Sequence, residues 1–256
     1  MTVGRETLIS GVNPVMEKLR AAPGDIVEII VGEGVRRPAL RAIVAQARDS
    51  GVTVRTLPQG ALDGLAGGRS HQGVLARVAA YVYAEFPELI RELAASTGRC
   101  WVLVLDGITD PRNFGALLRT AEAVGIRDVV IPRDRSVGVT PAVVKASAGA
   151  VSYLRICRVT NLRRALAELK EAGLWIVGLD PAAPDSAYGR SYPERLGIVL
   201  GSEGKGIRPL VSRECDFRVS LPMRGKLQSL NVSVAGGVFL YELLRQAEVD
   251  KAGGTG

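Results

Sequence analysis

The sequence predicts an α/β protein built on a mostly parallel sheet, and three observations support this fold class. From residue 101 onward, short apolar runs alternate with longer segments whose apolar residues recur at helical spacing. Several of the predicted strands lead into glycine-bearing loops, and 47% hydrophobic with 23% charged residues is the composition of an ordinary globular chain. Strands and helices that alternate in this way form parallel sheets covered on both faces.

Residues 1–80 predict a first, compact α/β unit. Three apolar runs of strand length occur in it, at residues 26–31, 52–57 and 74–79. A helix opened by Pro38 lies between the first two strands. A linker and a leading helix are expected at 81–98, where Pro87 interrupts the chain and residues 88–96 form the helix.

Residues 99–256 predict the second, larger unit. Its strands are expected at 101–105, 128–131, 154–158, 174–179, 197–200 and 217–220. Its helices are expected at 111–124, 141–148, 161–172 and 230–246. Parallel α/β sheets bind their ligands at the carboxyl ends of the strands. The chemistry is therefore expected in the loops at that edge, which are 106–113, 180–190, 201–206 and 221–229.

The helix at 111–124 carries two polar side chains that its folding does not require. Asp110 is a good N-cap residue, Pro111 is a good first residue, and the apolar residues that follow lie on one stripe. Asn113 lies at the strand-to-helix turn on the expected ligand edge, and Arg119 lies off the apolar stripe. These two residues are either a turn asparagine and a solvated arginine, or parts of a functional site.

The segment VLGSEGKGI at 199–207 follows a predicted strand and is rich in glycine. Backbone without side chains can approach a ligand closely, so a binding loop is one interpretation. The segment matches neither the P-loop nor the dinucleotide fingerprint, because its glycines follow the order G-x-x-G-x-G. Glu203 within it is either a loop residue paired with a basic neighbour or a carboxylate of the site.

The predicted helix at 230–246, for which Ser229 is the expected N-cap, is apolar on nearly every face. A helix that is apolar all round is buried on all sides, and a subunit interface is the natural cover for its extra face. Gly236 and Gly237 are costly inside a helix, and close helix contact would explain them. Asn231 is polar in this apolar setting and therefore requires a hydrogen-bond partner.

Composition narrows the class of function. A formal net charge of +7 favours a polyanionic partner such as RNA, or is a mild surplus without functional meaning. A single histidine, His71, argues against a histidine-based triad or metal site. Three scattered cysteines without a CxxC pattern indicate buried thiols in a reducing compartment. Because no apolar run is long enough to cross a bilayer and the N-terminus lacks a signal core, we expect a cytoplasmic protein with neither a membrane nor a metal as partner.

Three segments resemble, in this order, the three motifs of the SpoU/TrmH family within the SPOUT superfamily. They are NFGALLRT at 113–120, VLGSEGKGI at 199–207 and LPMRGKLQSLNVSVAGGVFLYE at 221–242. The resemblance extends to the first 80 residues, where GVNPVMEKLR and HQGVLARV are similar to the family's substrate-binding domain, which has a fold like ribosomal protein L30e. The layout is most similar to that of the bacterial enzymes that act on a guanosine of 23S ribosomal RNA.

The resemblance implies methylation of a ribose 2′-hydroxyl in RNA, with S-adenosylmethionine as the donor. It also implies a trefoil knot in the C-terminal domain, which holds the donor, and a homodimer formed beside the knot through the C-terminal helix. The expected catalytic residues, carried over motif by motif, are Asn113, Arg119, Glu203, Ser229 and Asn231. The positions expected to hold the donor are Gly201, Leu221, Met223 and Leu230.

The family assigns Arg119 the role of proton acceptor, but a guanidinium group stays protonated in proteins, so charge stabilisation is the alternative. Asn113 is expected to position Arg119 or the ribose, and Glu203 to orient the basic side or the donor loop. Ser229 and Asn231 are expected to shape the knot and to hold the donor or Arg119. Other functions weighed are methylation of transfer RNA, drug-resistance methylation of ribosomal RNA, a non-catalytic RNA-binding protein and a nucleotide-dependent oxidoreductase. The presence of all five polar motif residues argues against the non-catalytic protein, and the missing fingerprint against the oxidoreductase.

Overall fold

A computed structural model of the chain describes residues 7–34, 37–79 and 81–253. These residues form two compact units, each with its own sheet. The first unit comprises the described residues up to Val82 together with Val139–Tyr153, and the second comprises Tyr83–Gly138 with the described residues from Leu154 on. The domain boundaries expected at residues 80 and 98 stay a prediction.

The first unit has a mixed sheet of four strands in the order β1-β4-β2-β3. The strands are β1 (Thr7–Ser10), β2 (Ile26–Gly32), β3 (Val54–Leu57) and β4 (Val74–Val78). Both β1 and β2 run antiparallel to β4, and β3 runs parallel to β2. The helices are α1 (Val12–Ala21), α2 (Pro38–Asp49), α3 (Gln59–Ala66) and, from the later segment, α6 (Pro141–Ala146). Short 3-10 helices lie at Pro23–Asp25 and Ala150–Tyr153.

The second unit has seven parallel strands in the order β7-β6-β5-β10-β8-β11-β9, which confirms the predicted parallel sheet. The strands are β5 (Cys100–Asp106), β6 (Asp128–Pro132), β7 (Arg155–Val159), β8 (Trp175–Leu179), β9 (Asp185–Ser186), β10 (Arg195–Gly201) and β11 (Phe217–Ser220). The helices are α4 (Phe86–Ala95), α5 (Pro111–Ala123), α7 (Leu162–Glu171), α8 (Pro209–Ser212) and α9 (Val232–Gly253). None of the helices described is both long and apolar enough to span a bilayer.

Two expectations about helix starts were wrong. Pro87 does not interrupt the chain but lies in the first turn of α4, where proline has no hydrogen bond to lose. Ser229 does not cap α9, which begins at Val232. The cap is Asn231, whose Oδ1 accepts hydrogen bonds from the backbone N–H groups of Ser233 (3.0 Å) and Val234 (3.4 Å). Asparagine and serine cap helices equally well, so sequence preference alone does not choose between them.

The first half of α9 packs against α5 and the end of β10. A Cβ added to Gly236 would lie 2.5 Å from a methyl group of Leu117 and 2.7 Å from one of Leu200. This confirms close packing as the reason for a glycine at position 236. A Cβ on Gly237 would lie 4.0 Å from the nearest atom, a methyl of Thr120, so close contact within the chain does not explain this second glycine.

Candidate functional site

A pocket of about 690 Å³, open to solvent, lies where β8, β10 and β11 end. This is the carboxyl edge of the parallel sheet, the place where the fold class predicts a ligand. All four positions expected to hold the donor line this pocket, namely Gly201, Leu221, Met223 and Leu230. Ser229 and Glu203 line it as well. We call this cavity the strand-end pocket.

One wall of the strand-end pocket is the tight turn that follows β10. Ser202 and Gly206 exchange backbone hydrogen bonds of 3.0 and 2.9 Å across this turn. A Cβ on Gly201 would lie 2.1 Å from the carbonyl carbon of Gly206, so no residue with a side chain fits there. Gly204 at the tip has a φ of +75°, a left-handed conformation that favours glycine. The turn thereby brings Glu203 to the pocket wall with bare backbone beside it.

Three polar side chains from distant parts of the chain meet at this wall. Asn113 Nδ2 donates a hydrogen bond of 2.8 Å to Glu203 Oε1. Asn231 Nδ2 donates to Asn113 Oδ1 at 3.1 Å and also to Glu203 Oε1. The hydrogen-bond partner that Asn231 requires is therefore this pair, and one carboxylate oxygen of Glu203 is held by two amides. The same asparagine caps α9, which joins the helix start to the carboxylate.

Asp106, at the end of β5, is a residue of this region that the sequence interpretation did not single out. It is 1% exposed. Its carboxylate accepts hydrogen bonds from the backbone N–H of Arg208 (2.8 Å) and from Arg208 Nε (2.6 Å). A buried carboxylate needs such a partner, and the pair ties β5 to the segment that follows the glycine turn. The signal in the sequence was an acidic residue that ends an apolar strand directly before Gly107.

Two expected catalytic residues lie outside the hydrogen-bonded triad. Ser229 lines the pocket and is exposed, with no hydrogen-bond partner among the residues that the structure describes. Arg119 is exposed on α5, and its side chain likewise has neither a hydrogen-bond nor an ion-pair partner within the described part of the chain. At about 100° per residue, Arg119 lies on a different face of the helix from Asn113. The structure therefore joins Asn113, Glu203 and Asn231 by hydrogen bonds and places Ser229 on the lining of the same pocket, but brings Arg119 to neither.

The charge of the strand-end pocket is negative, because Glu203 is the one ionisable side chain among its described lining residues. The thiols lie elsewhere: burial raises the pKa of Cys157 to about 11 and that of Cys215 to about 12. Within the described ranges no group of three or more His, Cys, Asp or Glu side chains could hold a metal ion. The arrangement suits a ligand with an apolar portion and a positive charge.

Comparison with known families gives two matches that together span most of the chain. The family model described as the SpoU rRNA Methylase family matches residues 100–241. The model described as RNA 2′-O ribose methyltransferase substrate binding matches residues 8–84. The first match alone covers more than half of the chain.

Individual relatives agree with these matches. The chain is 44% identical over 239 residues to the 23S rRNA (guanosine-2′-O-)-methyltransferase RlmB of Xanthomonas campestris, covering 93% of this chain and 96% of that protein. It is 40% identical over 238 residues to YacO of Bacillus subtilis, a TrmH family protein, covering 93% and 95%.

Solved structures show the same fold. A crystal structure of an RNA 2′-O ribose methyltransferase matches with a TM-score of 0.77 at 26% identity, covering 96% of this chain and 90% of that one. The SpoU methyltransferase AviRb from Streptomyces viridochromogenes matches with a TM-score of 0.78 over 96% and 91% of the two chains. Because the sequence identity is only 21%, the match to AviRb supports the fold alone.

Proposed function

This chain belongs to the SpoU rRNA Methylase family, and we propose that it transfers a methyl group from S-adenosylmethionine to the 2′-hydroxyl of a guanosine ribose in 23S ribosomal RNA. The relative RlmB, at 44% identity, is named for this reaction. The observation that carries the proposal is the meeting of the three motif segments beside one pocket, where Asn113, Glu203 and Asn231 are hydrogen-bonded to one another and Glu203 lines the pocket.

The strand-end pocket fits S-adenosylmethionine, which joins a flat adenine to a positively charged methionine. Leu221 and Leu230 offer apolar surface for the adenine, and Gly201 lets the turn at Gly206 fold tightly against the pocket wall. Glu203 supplies the negative charge that a cationic donor requires. When bound, the donor supplies an electrophilic methyl group.

The residues of the chain must then align the ribose hydroxyl with that methyl group. Alignment of two reacting groups is worth about 7–11 kcal/mol in favourable cases. The two asparagine amides hold Glu203 in one orientation and thereby keep the pocket wall in shape. Arg119, which is exposed and unpaired among the described residues, is the group proposed to clamp a phosphate and stabilise the negative charge that develops on the attacking oxygen. Proton acceptance by Arg119 is the alternative role.

The partner proposed for α9 is a second copy of this chain. Val234, Val238 and Tyr241 follow one another along one face of the helix and are 51%, 38% and 53% exposed. Large apolar side chains in a continuous row require cover, and a homodimer supplies it with the same face of the partner. Sedimentation should give a dimer at micromolar concentration, and Val238→Asp should give a monomer. A monomeric parent protein would contradict the proposal.

We also propose the trefoil knot and a cytoplasmic location. The strand order supports the knot, because β10 lies between β5 and β8 although it follows both in the chain. The chain therefore returns to insert β10 between two strands, β5 and β8, that come earlier in the sequence. Residues on both sides of β11 line the same pocket, as expected if the knotted segment holds the donor. A reducing compartment agrees with three free cysteines.

The test is methyl transfer by the purified full-length protein from labelled S-adenosylmethionine to in vitro transcribed 23S rRNA and, separately, to transfer RNA. We expect one methylated guanosine in 23S rRNA, mapped by the resistance of its 2′-O-methylated linkage to alkali. An RNA with a 2′-deoxyguanosine at the mapped position should accept no methyl group. Methylation of transfer RNA alone would show that the substrate is transfer RNA and not 23S rRNA. The absence of transfer to either RNA would favour a non-catalytic RNA-binding protein.

A further inference from the structure

We propose that Asp106 is a positioning residue for donor binding, which acts on the strand-end pocket through Arg208 and the glycine turn at residues 202–206. This inference rests on the proposed function in so far as S-adenosylmethionine is the ligand of that pocket. Asp106 and Arg208 do not line the pocket themselves. The pair that they form holds the segment on which Glu203 and the bare backbone of the pocket wall are presented.

Asp106 lies beside the residue at which the glycine turn begins. In the parallel pairing of β5 with β10, the last residues of the two strands are partners, so Asp106 is opposite Gly201. The next residue, Ser202, exchanges backbone hydrogen bonds of 3.0 and 2.9 Å with Gly206, and Ser202 Oγ donates to the Gly206 carbonyl at 3.4 Å. The entry of the turn is therefore fixed by the sheet, directly beside Asp106.

The exit of the glycine turn is fixed by Asp106 itself. One carboxylate oxygen accepts a hydrogen bond from the backbone N–H of Arg208 at 2.8 Å, and the other accepts one from Arg208 Nε at 2.6 Å. The carbonyl of Arg208 in turn accepts from two backbone N–H groups of α8, both at 2.9 Å. Because hydrogen bonds are directional, the pair sets the orientation of the backbone that leaves the turn. Glu203 and Gly206 lie between these two fixed ends, and both line the pocket.

Apolar packing does not by itself set this orientation. Ile207, which precedes Arg208, is 8% exposed, and a Cβ added to Gly178 would lie 2.9 Å from its Cδ1. Such packing holds the segment against β8, but it is non-directional. Asp106 is 1% exposed, and well-packed apolar residues would stabilise a fold as well as a buried carboxylate with its partner does. Orientation therefore explains the buried pair better than stability.

The place of Glu203 depends on the orientation of the turn. Its Oε1 accepts from Asn113 Nδ2 at 2.8 Å and from Asn231 Nδ2. These amides come from α5 and from the start of α9, so they can hold the carboxylate only where the turn presents it. A turn with a loosened exit should lose these donors and with them the fixed negative charge of the pocket. Donor binding should then weaken, although Asp106 lies outside the pocket lining.

The experiment measures, for full-length variants, the Kd for S-adenosylmethionine by titration calorimetry and the free energy of unfolding in urea. Asp106→Asn keeps the size of the side chain but has one acceptor oxygen in place of two. It should raise Kd about tenfold, the scale for the loss of a hydrogen bond to a charged group. With saturating donor its kcat should stay within about twofold, because a loss of ground-state binding raises KM and not the barrier of the chemical step.

Two substitutions of Arg208 test the same link from its other side. This side chain is 45% exposed, so both variants should fold even where Asp106→Asn does not. In Arg208→Gln the amide N–H₂ is as many bonds from the backbone as Nε and can donate to Asp106, so Kd should stay within about twofold of the parent. Arg208→Leu has no such donor, and its Kd should rise about fivefold. Equal Kd values in Arg208→Gln and Arg208→Leu would overturn the proposal.

Asp216→Asn is the matched control for a merely structural role. Asp216 also joins a backbone N–H to a cation: its Oδ2 accepts from Ile176 at 2.8 Å, and its Oδ1 lies 2.7 Å from Lys170 Nζ. It lies at the amino end of β11 and outside the lining of the pocket. Asp216→Asn should lower the free energy of unfolding without a change in donor Kd. Hydrogen exchange of the amides in residues 202–206 should quicken in Asp106→Asn and Arg208→Leu but not in this control.

The outcomes separate this inference from the proposed function. If the parent binds S-adenosylmethionine and Asp106→Asn and Arg208→Leu bind it equally well, the inference is wrong and the function stands. An equal loss of donor affinity in Asp216→Asn would also overturn the inference, since general destabilisation would explain all three variants. A parent protein that binds no S-adenosylmethionine would overturn the proposed function, and the inference with it.

Discussion

The strand-end pocket and a second pocket, at the end of β2 and β3 in the first unit, both lie where parallel strands end, yet the side chains around them differ in chemistry. We call the second cavity, which is lined by Arg37, Gln59, Asp63, Arg69, Ser70 and Gln72 among others, the arginine pocket. The first is lined by leucines, glycines and a single carboxylate, with no lysine or arginine among its described lining residues. The second presents two guanidinium groups, two amides and a hydroxyl, together with the Asp63 carboxylate and its partner His71. The end of a sheet therefore supplies a place for a ligand, and the loop side chains select which ligand it is.

The two pockets also differ in how they are built. The strand-end pocket depends on close backbone contacts, because a Cβ on Gly201 would lie 2.1 Å from Gly206. The arginine pocket depends on long side chains such as that of Arg37, which is exposed and whose guanidinium makes no hydrogen bond within the described part of the chain. An added Cβ should therefore distort the shape of the first pocket. Removal of an exposed side chain should affect the second pocket only through the lost contact with its ligand.

The largest effect is expected at Arg119, which lines neither pocket. Arg119→Ala should lower turnover about a hundredfold or more, the scale for the loss of a charge-stabilising donor or a general base. Donor affinity should change little, and stability should shift by about 0.5 kcal/mol or less because the side chain is exposed and unpaired among the described residues. Single-turnover kinetics measure the effect on methyl transfer, and titration calorimetry measures the affinity for the donor.

Arg119→Lys distinguishes the two roles of this residue. Lysine keeps the charge but loses the planar fork and can deprotonate more readily. If Arg119 stabilises charge through a bidentate hydrogen bond, Arg119→Lys should be nearly as inactive as Arg119→Ala. If Arg119 accepts the proton, turnover of Arg119→Lys should recover as the pH rises. Turnover near that of the parent in Arg119→Ala would remove Arg119 from the reaction, and a parallel fall in donor affinity would assign it to the strand-end pocket after all.

Gly201→Ala should damage the strand-end pocket alone. The new Cβ must displace the backbone of Gly206, and such overpacking costs about 1–3 kcal/mol. We expect at least a tenfold loss of donor affinity by calorimetry, a lower free energy of unfolding in urea, and an unchanged Kd for RNA. Gly225→Ala is the matched control, because an added Cβ at that position has nothing within 4 Å. Weakened RNA binding in Gly201→Ala would mean that the substitution acts beyond the strand-end pocket.

Asn231 has two tasks that substitution can separate. Asn231→Ala should lower the free energy of unfolding by about 1 kcal/mol, through loss of the α9 cap, and should also weaken donor binding, since Glu203 loses one of its two amide donors. Asn231→Ser keeps a capping oxygen but has no amide to reach Glu203, so it should bind the donor as weakly as Ala while keeping its stability. Parent-like donor affinity in both variants would show that the triad only supports the helix.

The smallest effect is expected at the thiols, which line neither pocket. Burial raises the folded-state pKa of Cys157 from 9.0 to about 11, so the folded state retains a proton that the unfolded chain releases. This contribution to stability is complete below pH 9 and is lost as the pH rises towards 11. The free energy of unfolding measured in urea should fall above pH 9, and it should fall less in Cys157→Ala. Iodoacetamide at neutral pH should alter neither donor nor RNA binding.

Much of the site could be predicted because its signals are local. Asp110 caps α5 as expected, accepting hydrogen bonds from the backbone of Arg112 and Asn113 at 2.6 and 3.2 Å. The glycine turn was visible from its composition. Most of the elements missed are short or contain glycine: β1 and α8 have four residues each, β9 has two, and α3 contains two glycines, which weaken a helical pattern. The ten-residue helix α1 was missed as well; it has Pro14 in its first turn and no side-chain cap.

By itself, the sequence determined the alternation of strands and helices, the edge of the sheet where a pocket lies and the family to which the chain belongs. Only the tertiary structure decided that α6 packs against β1 of the first unit, that Asp106 pairs with Arg208, and that Asn231 both caps a helix and holds Glu203. The physical reason is distance along the chain. Propensity and periodicity act over one turn or one strand, whereas the contacts of Asn113 with residues 203 and 231 exist only once the strand order has brought their loops together.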